Sequence, residues 1–192
     1  MMNNIELIFP EIFISLSIMF LLILGVFKKN SSKIIHNISL LVLLITAVIT
    51  FNETISVNPT VIFNESIVID YLSSFMKIIT LIAAFVVLLI SSNYLRTFKI
   101  FKIEYPILIL SSVLGMMIMI SSNDLIVFYM GLELQSLALY VLATFNRDQL
   151  KSSEAGLKYF VLSALSSGLL LYGCSLIYGF TGSTNFNVIS TQ

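Results

Sequence analysis

An all-α polytopic membrane protein of about six transmembrane helices is the fold class this sequence predicts, and three observations predict it. Of 192 residues, 58% are hydrophobic and only 10% are charged, against about 25% charged in an ordinary soluble domain. Mean hydropathy is +1.02. The basic residues also cluster in alternate connections between the apolar segments, as expected of a chain that crosses a bilayer repeatedly.

The apolar segments are Leu7–Phe27, Ile34–Phe51, Ile67–Ser92, Tyr105–Ser122, Leu125–Phe145 and Ala155–Phe180. Each approaches or exceeds the roughly 20 residues that a helix needs to span the hydrocarbon layer. Pro10 and Pro106 fall near the starts of their segments, where a missing N–H costs little. The fourth and fifth segments meet in a tight turn at Ser122–Asp124. With no polar linker and no clear repeat, residues 1–192 read as a single transmembrane helical domain.

The first connection carries Lys28, Lys29 and Lys33, the third Arg96, Lys99 and Lys102, and the fifth Arg147 and Lys151. The second and fourth connections and both termini carry no Lys or Arg. Positive charge stays on the side of synthesis, so both termini are expected on the outer side, periplasmic or intermembrane. No Lys or Arg precedes the first apolar run, so it does not read as a cleaved signal peptide.

Composition excludes several chemistries. Formal net charge is zero, which gives no argument for nucleic acid. One cysteine, Cys174, and one histidine, His36, cannot form an internal disulfide, a four-thiolate iron–sulfur site or a bis-histidine haem. The methionine cluster Met116–Met119 reads as apolar filler rather than a soft-metal site.

The chemistry rests on charges inside the apolar segments. Glu133 is the only charge between Leu125 and Phe145, eight residues and about 12 Å along a helix. An ionisable group at that depth costs about 3 kcal/mol on insertion scales and normally faces a bundle interior or a hydrated cavity. The alternative is a protonated carboxylic acid that serves as packing glue. Lys158, three residues into the sixth segment, can snorkel or act in transport. On these spans Glu133 is about 18 Å and Lys158 about 5 Å from the inner ends, too far for a direct pair. The alternative link is a hydrated polar relay between them, with Ser136 and Gln135 nearby in sequence. Lys77 is ten residues into the third segment if the helix starts at Ile67 and six if it starts after Asp70; it is expected to be buried against a partner helix or paired with a lipid or a missing chain, with a transport role as the alternative. In the sixth segment, Ala164 and Gly168 have the spacing that lets helix backbones approach closely.

Three stretches carry a family resemblance: ELIFPEIFISLSIMFLLILGVF (6–27), LELQSLALYVLA (132–143) and SEAGLKYFVLSALSSGLLLYG (153–173), with IYGFTGSTNF (177–186) extending it. Together they resemble chain 2 of NADH:ubiquinone oxidoreductase, the antiporter-like membrane subunit of respiratory complex I. The match is weakest over 52–67. The resemblance implies proton translocation coupled to NADH oxidation and ubiquinone reduction, with no redox centre in this chain. NADH, FMN, iron–sulfur clusters and ubiquinone would belong to the complex. Glu133 matches the family's glutamate in the fifth helix, implied to tune and relay. Lys158 matches its lysine in the sixth, implied to take up and release a proton.

The family has further helices, including broken ones with central lysines, which these residues lack. The expectation is one half of a split subunit, with a second chain supplying the rest beside other membrane-arm subunits and lipid. Extreme apolarity suits the mitochondrial inner membrane, with a bacterial cytoplasmic membrane as the alternative. Two other readings stay open: a subunit of a cation/proton antiporter or membrane-bound hydrogenase, and a structural scaffold without its own proton path.

Overall fold

A computed structural model describes residues 6–27, 32–56, 60–98 and 100–191. After a 3-10 turn at Glu6–Ile8 come α1 (Phe9–Phe27), α2 (Ser32–Ser56), β1 (Thr60–Ile62), β2 (Ile67–Ile69), α3 (Tyr71–Thr97), α4 (Glu104–Ser121), α5 (Leu125–Ala143), α6 (Leu150–Thr181) and a short α7 (Phe186–Ser190). The helices α1 to α6 are all long and apolar enough to cross a membrane. In lipid a helix satisfies its own backbone polar groups, which is why apolar runs of this length adopt it.

Helices α1 to α4 surround one core of Ile14, Leu21, Leu43, Leu88, Leu110 and Met117 among others. Buried hydroxyls on α2 bond within their own helix: Ser39 donates to the Ile35 carbonyl, Thr46 to Val42 and Thr50 to Thr46. They can therefore be buried without a partner on another helix. Helix α5 packs mainly on α4, and α6 on α5. Large apolar side chains such as Leu16, Phe20 and Ile90 are exposed on the outside of the bundle, as expected of surfaces that face lipid or further helices.

Two departures from the sequence reading have local causes. The third helix does not begin at Ile67. The β-branched run Ile67–Val68–Ile69 pairs antiparallel with Ile62–Val61–Thr60, as β-branched residues prefer. Asp70 then starts α3 with a capping box: the Ser73 N–H donates to Asp70 Oδ1 at 2.7 Å, and the Asp70 N–H donates to Ser73 Oγ at 3.0 Å. The sixth helix begins five residues early, at Leu150, and Ser152 Oγ donates to the Ala143 carbonyl at 2.8 Å, fastening α6 to the end of α5. Asp124 caps α5 by accepting from the Ile126 and Val127 N–H groups. Gly182, with φ +67°, closes α6 in a left-handed turn.

The close helix approach expected at Ala164 and Gly168 lies elsewhere. A Cβ on Gly168 would meet nothing within 4 Å. A Cβ on Gly115 would lie 2.6 Å from the Gln135 backbone nitrogen, and one on Gly131 2.8 Å from the Met119 nitrogen. The backbones of α4 and α5 thus touch at these two glycines. Small residues allow such contacts in lipid, where van der Waals packing replaces a hydrophobic drive between helices.

Of the basic residues in alternate connections, Lys33, Arg96, Lys102, Arg147 and Lys151 fall at or near one end of the bundle, as expected. Lys28, Lys29 and Lys99 lie outside the described residues. The opposite end gathers the hairpin, the α4–α5 turn and the loop after α6. There Asn123 and Asn185 both donate side-chain N–H groups to the Glu65 carbonyl, at 2.8 and 3.0 Å.

Gly115→Ala is expected to cost about 1–3 kcal/mol through overpacking, because its new methyl faces backbone that cannot turn aside. Thermal melting of the purified protein should show it, whereas Gly168→Ala should leave the melting temperature within error.

Candidate functional site

Embedded charges fall in two places. The first was half visible in the sequence. Lys77 Nζ on α3 lies 2.6 Å from Glu11 Oε1 on α1, with side-chain exposures of 4% and 10%. Sequence reasoning named Lys77 but missed Glu11, although a signal existed. Helices α1 and α3 run in the same direction; Glu11 is two residues after the start of α1 and Lys77 six after the start of α3. Their levels therefore differ by only about 6 Å, within reach of a lysine side chain. Glu11 is in the first turn of α1, where the helix dipole favours a carboxylate.

The second place is the seam between α5 and α6. Tyr129, Glu133, Ser136 and Tyr140 recur at the spacing that aligns side chains on one helix face. Both ends of that row touch α6. The Tyr129 hydroxyl and Ser167 Oγ are hydrogen-bonded at 3.0 Å, and the Tyr140 ring packs edge-on against Tyr159 and Phe160, with centroids 4.9 and 5.7 Å apart. Glu133 lies between those contacts, at about the level of Ser163. Its residue is half-buried, and its Oε1 is shielded with no hydrogen-bond partner among the described residues. Ser136 Oγ is occupied by the Leu132 carbonyl.

Lys158 is not in this seam. The α6 face toward α5 carries Gly156, Tyr159, Phe160, Ser163 and Ser167, and Lys158 is about 200° round the helix from Gly156. Its side chain is 67% exposed and pairs with Glu154 on the same helix at 2.6 Å. It is also about 8 Å along the axis from Ser163. Glu133 and Lys158 are thus not brought together, in agreement with the distance argument. Gln135 lies on the opposite face of α5 from Glu133, its backbone against Gly115. The polar residue the sequence reading overlooked is Ser163, whose position depends on the register of α6 against α5.

No group of three or more His, Cys, Asp or Glu able to hold a metal occurs among the described residues. The geometry can carry a proton on Glu133 and a buried charge pair at Glu11–Lys77.

This chain is 71% identical over 188 residues to the NADH-quinone oxidoreductase subunit N of Pelagibacter ubique, covering 98% of its own length and 40% of that protein. The chain is thus similar to about two-fifths of a bacterial NADH-quinone oxidoreductase subunit N. The subunit N of Maricaulis maris is 50% identical, again over 98% of this chain and 39% of the relative. The chain spans about two-fifths of the length of the curated relatives it matches. A family described as NADH:quinone oxidoreductase/Mrp antiporter, TM, matches residues 122–192. That stretch contains Glu133 and Lys158 but neither Glu11 nor Lys77.

Among solved structures, respiratory complex I from Thermus thermophilus contains a similar chain, with TM-score 0.77 and 26% identity over 92% of this chain and 38% of that one. An archaeal membrane-bound sulfane sulfur reductase (TM-score 0.82, 21% identity, 98% of this chain and 40% of that one) and the Mrp complex from Dietzia (0.74, 22%, 95% and 36%) share the fold.

Lys77→Met alone would leave the Glu11 carboxylate buried without its cation and is expected to destabilise the fold by about 3–5 kcal/mol. The double variant Glu11→Leu/Lys77→Met should recover most of that loss. A double-mutant cycle on melting temperature in lipid nanodiscs measures the coupling.

Proposed function

We propose that this chain forms part of the proton-translocating membrane arm of a bacterial-type NADH-quinone oxidoreductase and that Glu133 is its proton-carrying group. The observation that carries this reading is a carboxylate in the middle of a membrane-spanning helix, one oxygen shielded and without a hydrogen-bond partner among the described residues, in a chain similar to subunit N. A carboxylate so placed is sensitive to any charge that moves nearby, since the local dielectric is low. Electron transfer elsewhere in a complex could thus drive protonation and release at Glu133 without a redox centre here.

Lys158 would serve as a second proton carrier, acting away from α5 toward whatever covers the exposed face of α6. That cover would come from sequence beyond these 192 residues, on this polypeptide or on a second chain of a split subunit. The chain would act only as a subunit of the translocating enzyme. The basic ends of the helices support placing loops one, three and five inside and the hairpin end outside. Bacterial relatives support the cytoplasmic membrane rather than the mitochondrial inner membrane. The antiporter reading draws on the Mrp likeness, which at 22% identity concerns fold alone.

Native purification followed by mass spectrometry should recover NADH- and quinone-reacting subunits. Recovery with antiporter subunits only would sink the proposal. In the assembled complex, Glu133→Gln should lower proton translocation about tenfold or more, on the scale of losing a positioned acid–base group. Lys158→Met should also reduce translocation, yet change stability by less than about 1 kcal/mol, because its exposed pair with Glu154 contributes little. Unimpaired pumping in both variants would favour the scaffold reading.

A further inference from the structure

We propose that the cleft between α1, α4 and α5 at the basic end of the bundle binds an anionic phospholipid of the phosphatidylglycerol type, a singly negative phosphodiester whose headgroup carries free hydroxyls. The apolar walls of the cleft are Leu22 of α1, Ile107 and Leu108 of α4 and Val141 of α5. Its rim is Lys102, Glu104, Phe145 and Arg147. The volume is about 200 Å³, below the roughly 300–1,000 Å³ of pockets that enclose a whole small molecule. It is sized to seat a headgroup and the start of a chain.

The rim supplies the first argument. Lys102 stands two residues before the start of α4 and Arg147 four after the end of α5, at the level where these helices leave the apolar layer. Both are exposed, and neither is in an ion pair among the described residues. Lys102 Nζ lies 5.9 Å from the centre of the Phe145 ring, a contact that draws the ammonium from the α4 side toward α5. Against Glu104 the two cations leave the rim one positive charge in excess, which one phosphodiester balances. Guanidinium binds phosphate as a two-pronged donor and ammonium as a point charge. Glu104, the exposed first residue of α4, accepts from headgroup hydroxyls and repels anions of higher charge.

The second argument is what lies below the rim. Leu22 and Val141 are nearly half exposed and present apolar surface directly under the two cations. On α1, Leu22 returns to the helix face of Ser15, seven residues earlier; on α4, Ile107 returns to that of Leu114, seven residues later. Ser15 and Leu114, with Ile12 and Ile118, line a second cleft of about 370 Å³ between the same two helices, beside Glu11. The groove between α1 and α4 is thus mostly apolar from the basic rim toward the opposite end, the direction an acyl chain takes. A soluble anion would gain nothing from that track, and an uncharged lipid nothing from the rim.

The site requires that the helices cross a membrane and does not depend on proton translocation. The test is photo-crosslinking of the complete protein, in its native complex, in lipid nanodiscs. The probe is phosphatidylglycerol with a diazirine on the upper part of one acyl chain, and adducts are mapped by mass spectrometry of peptides. The expected result is an adduct on Leu22, Leu108 or Val141 that excess unlabelled phosphatidylglycerol removes and phosphatidylcholine or inorganic phosphate does not. It should fall about tenfold or more in Lys102→Gln/Arg147→Gln, since each basic residue near an anionic lipid surface is good for about fivefold. Lys102→Arg/Arg147→Lys keeps both charges and should keep the adduct, which separates lost charge from a disturbed fold. An adduct unchanged in the glutamine variant, or removed equally by phosphatidylcholine, would overturn the proposal by showing ordinary boundary lipid. Removal by inorganic phosphate would overturn it in favour of a free anion at the rim. No adduct at any of the three residues would overturn it by showing the cleft filled by another part of the protein.

Discussion

Backbone contact between α4 and α5 at Gly115 and Gly131 is the constraint on which the rest depends. Helices α1 to α4 already share one core, so α5 needs only a single tight seam to be fixed against them. The two glycines provide it by letting the chains approach until only hydrogen atoms separate them. Because Gly131 and Gln135 are turned toward α4, residues 129, 133, 136 and 140 are turned the other way. The direction in which Glu133 looks is therefore set by two residues with no side chain, on the far side of the helix. Helix α6 in turn is held by that outward row, through Tyr129–Ser167 and Tyr140 against Tyr159 and Phe160.

The two groups of embedded charge use the same chemistry under different solvation. At Glu11–Lys77 the opposite charge is in direct contact, and neutralisation is local. At Glu133 no cation lies in contact among the described residues. Lys158 occupies a third situation, exposed on α6 and paired with Glu154 within its own helix. Opposite charges are thus spread over three levels of screening across the helices α1 to α6.

Six spans and the side on which the positive charges gather could be read from the sequence because the bilayer imposes them: length and apolarity leave little other choice. What could not be read depended on rotation and register. Apolarity alone does not say that Ile67–Ile69 forms a strand rather than the first turn of α3; Asp70 decides that by capping. Small residues occur in both α4–α5 and α6, and only packing shows that Gly115 and Gly131 meet while Gly168 does not. Glu133 is legible because it stands alone in its span, and Lys77 because it is the one basic residue in its own. Glu11 was legible in principle, yet its importance came from a relation between two helices rather than from either one. The placement of Lys158 away from α5 follows from helical periodicity once the α5 contacts on α6 are known, and those contacts were not visible in advance.

The hairpin end has a bearing on how the chain reaches its final form. Phe63, Asn64 and Glu65 all adopt positive φ, a conformation that costs ordinary residues about 1–2 kcal/mol each. The Glu65 carbonyl in that turn is held by Asn123 and Asn185, which are 58 and 120 residues further along the chain. Neither bond can form until α4, and then α6, has been threaded into the membrane. The turn is thus made early and secured late, so its closure marks the moment at which the sixth helix has been delivered and the ends of helices α2 to α6 are gathered into one surface.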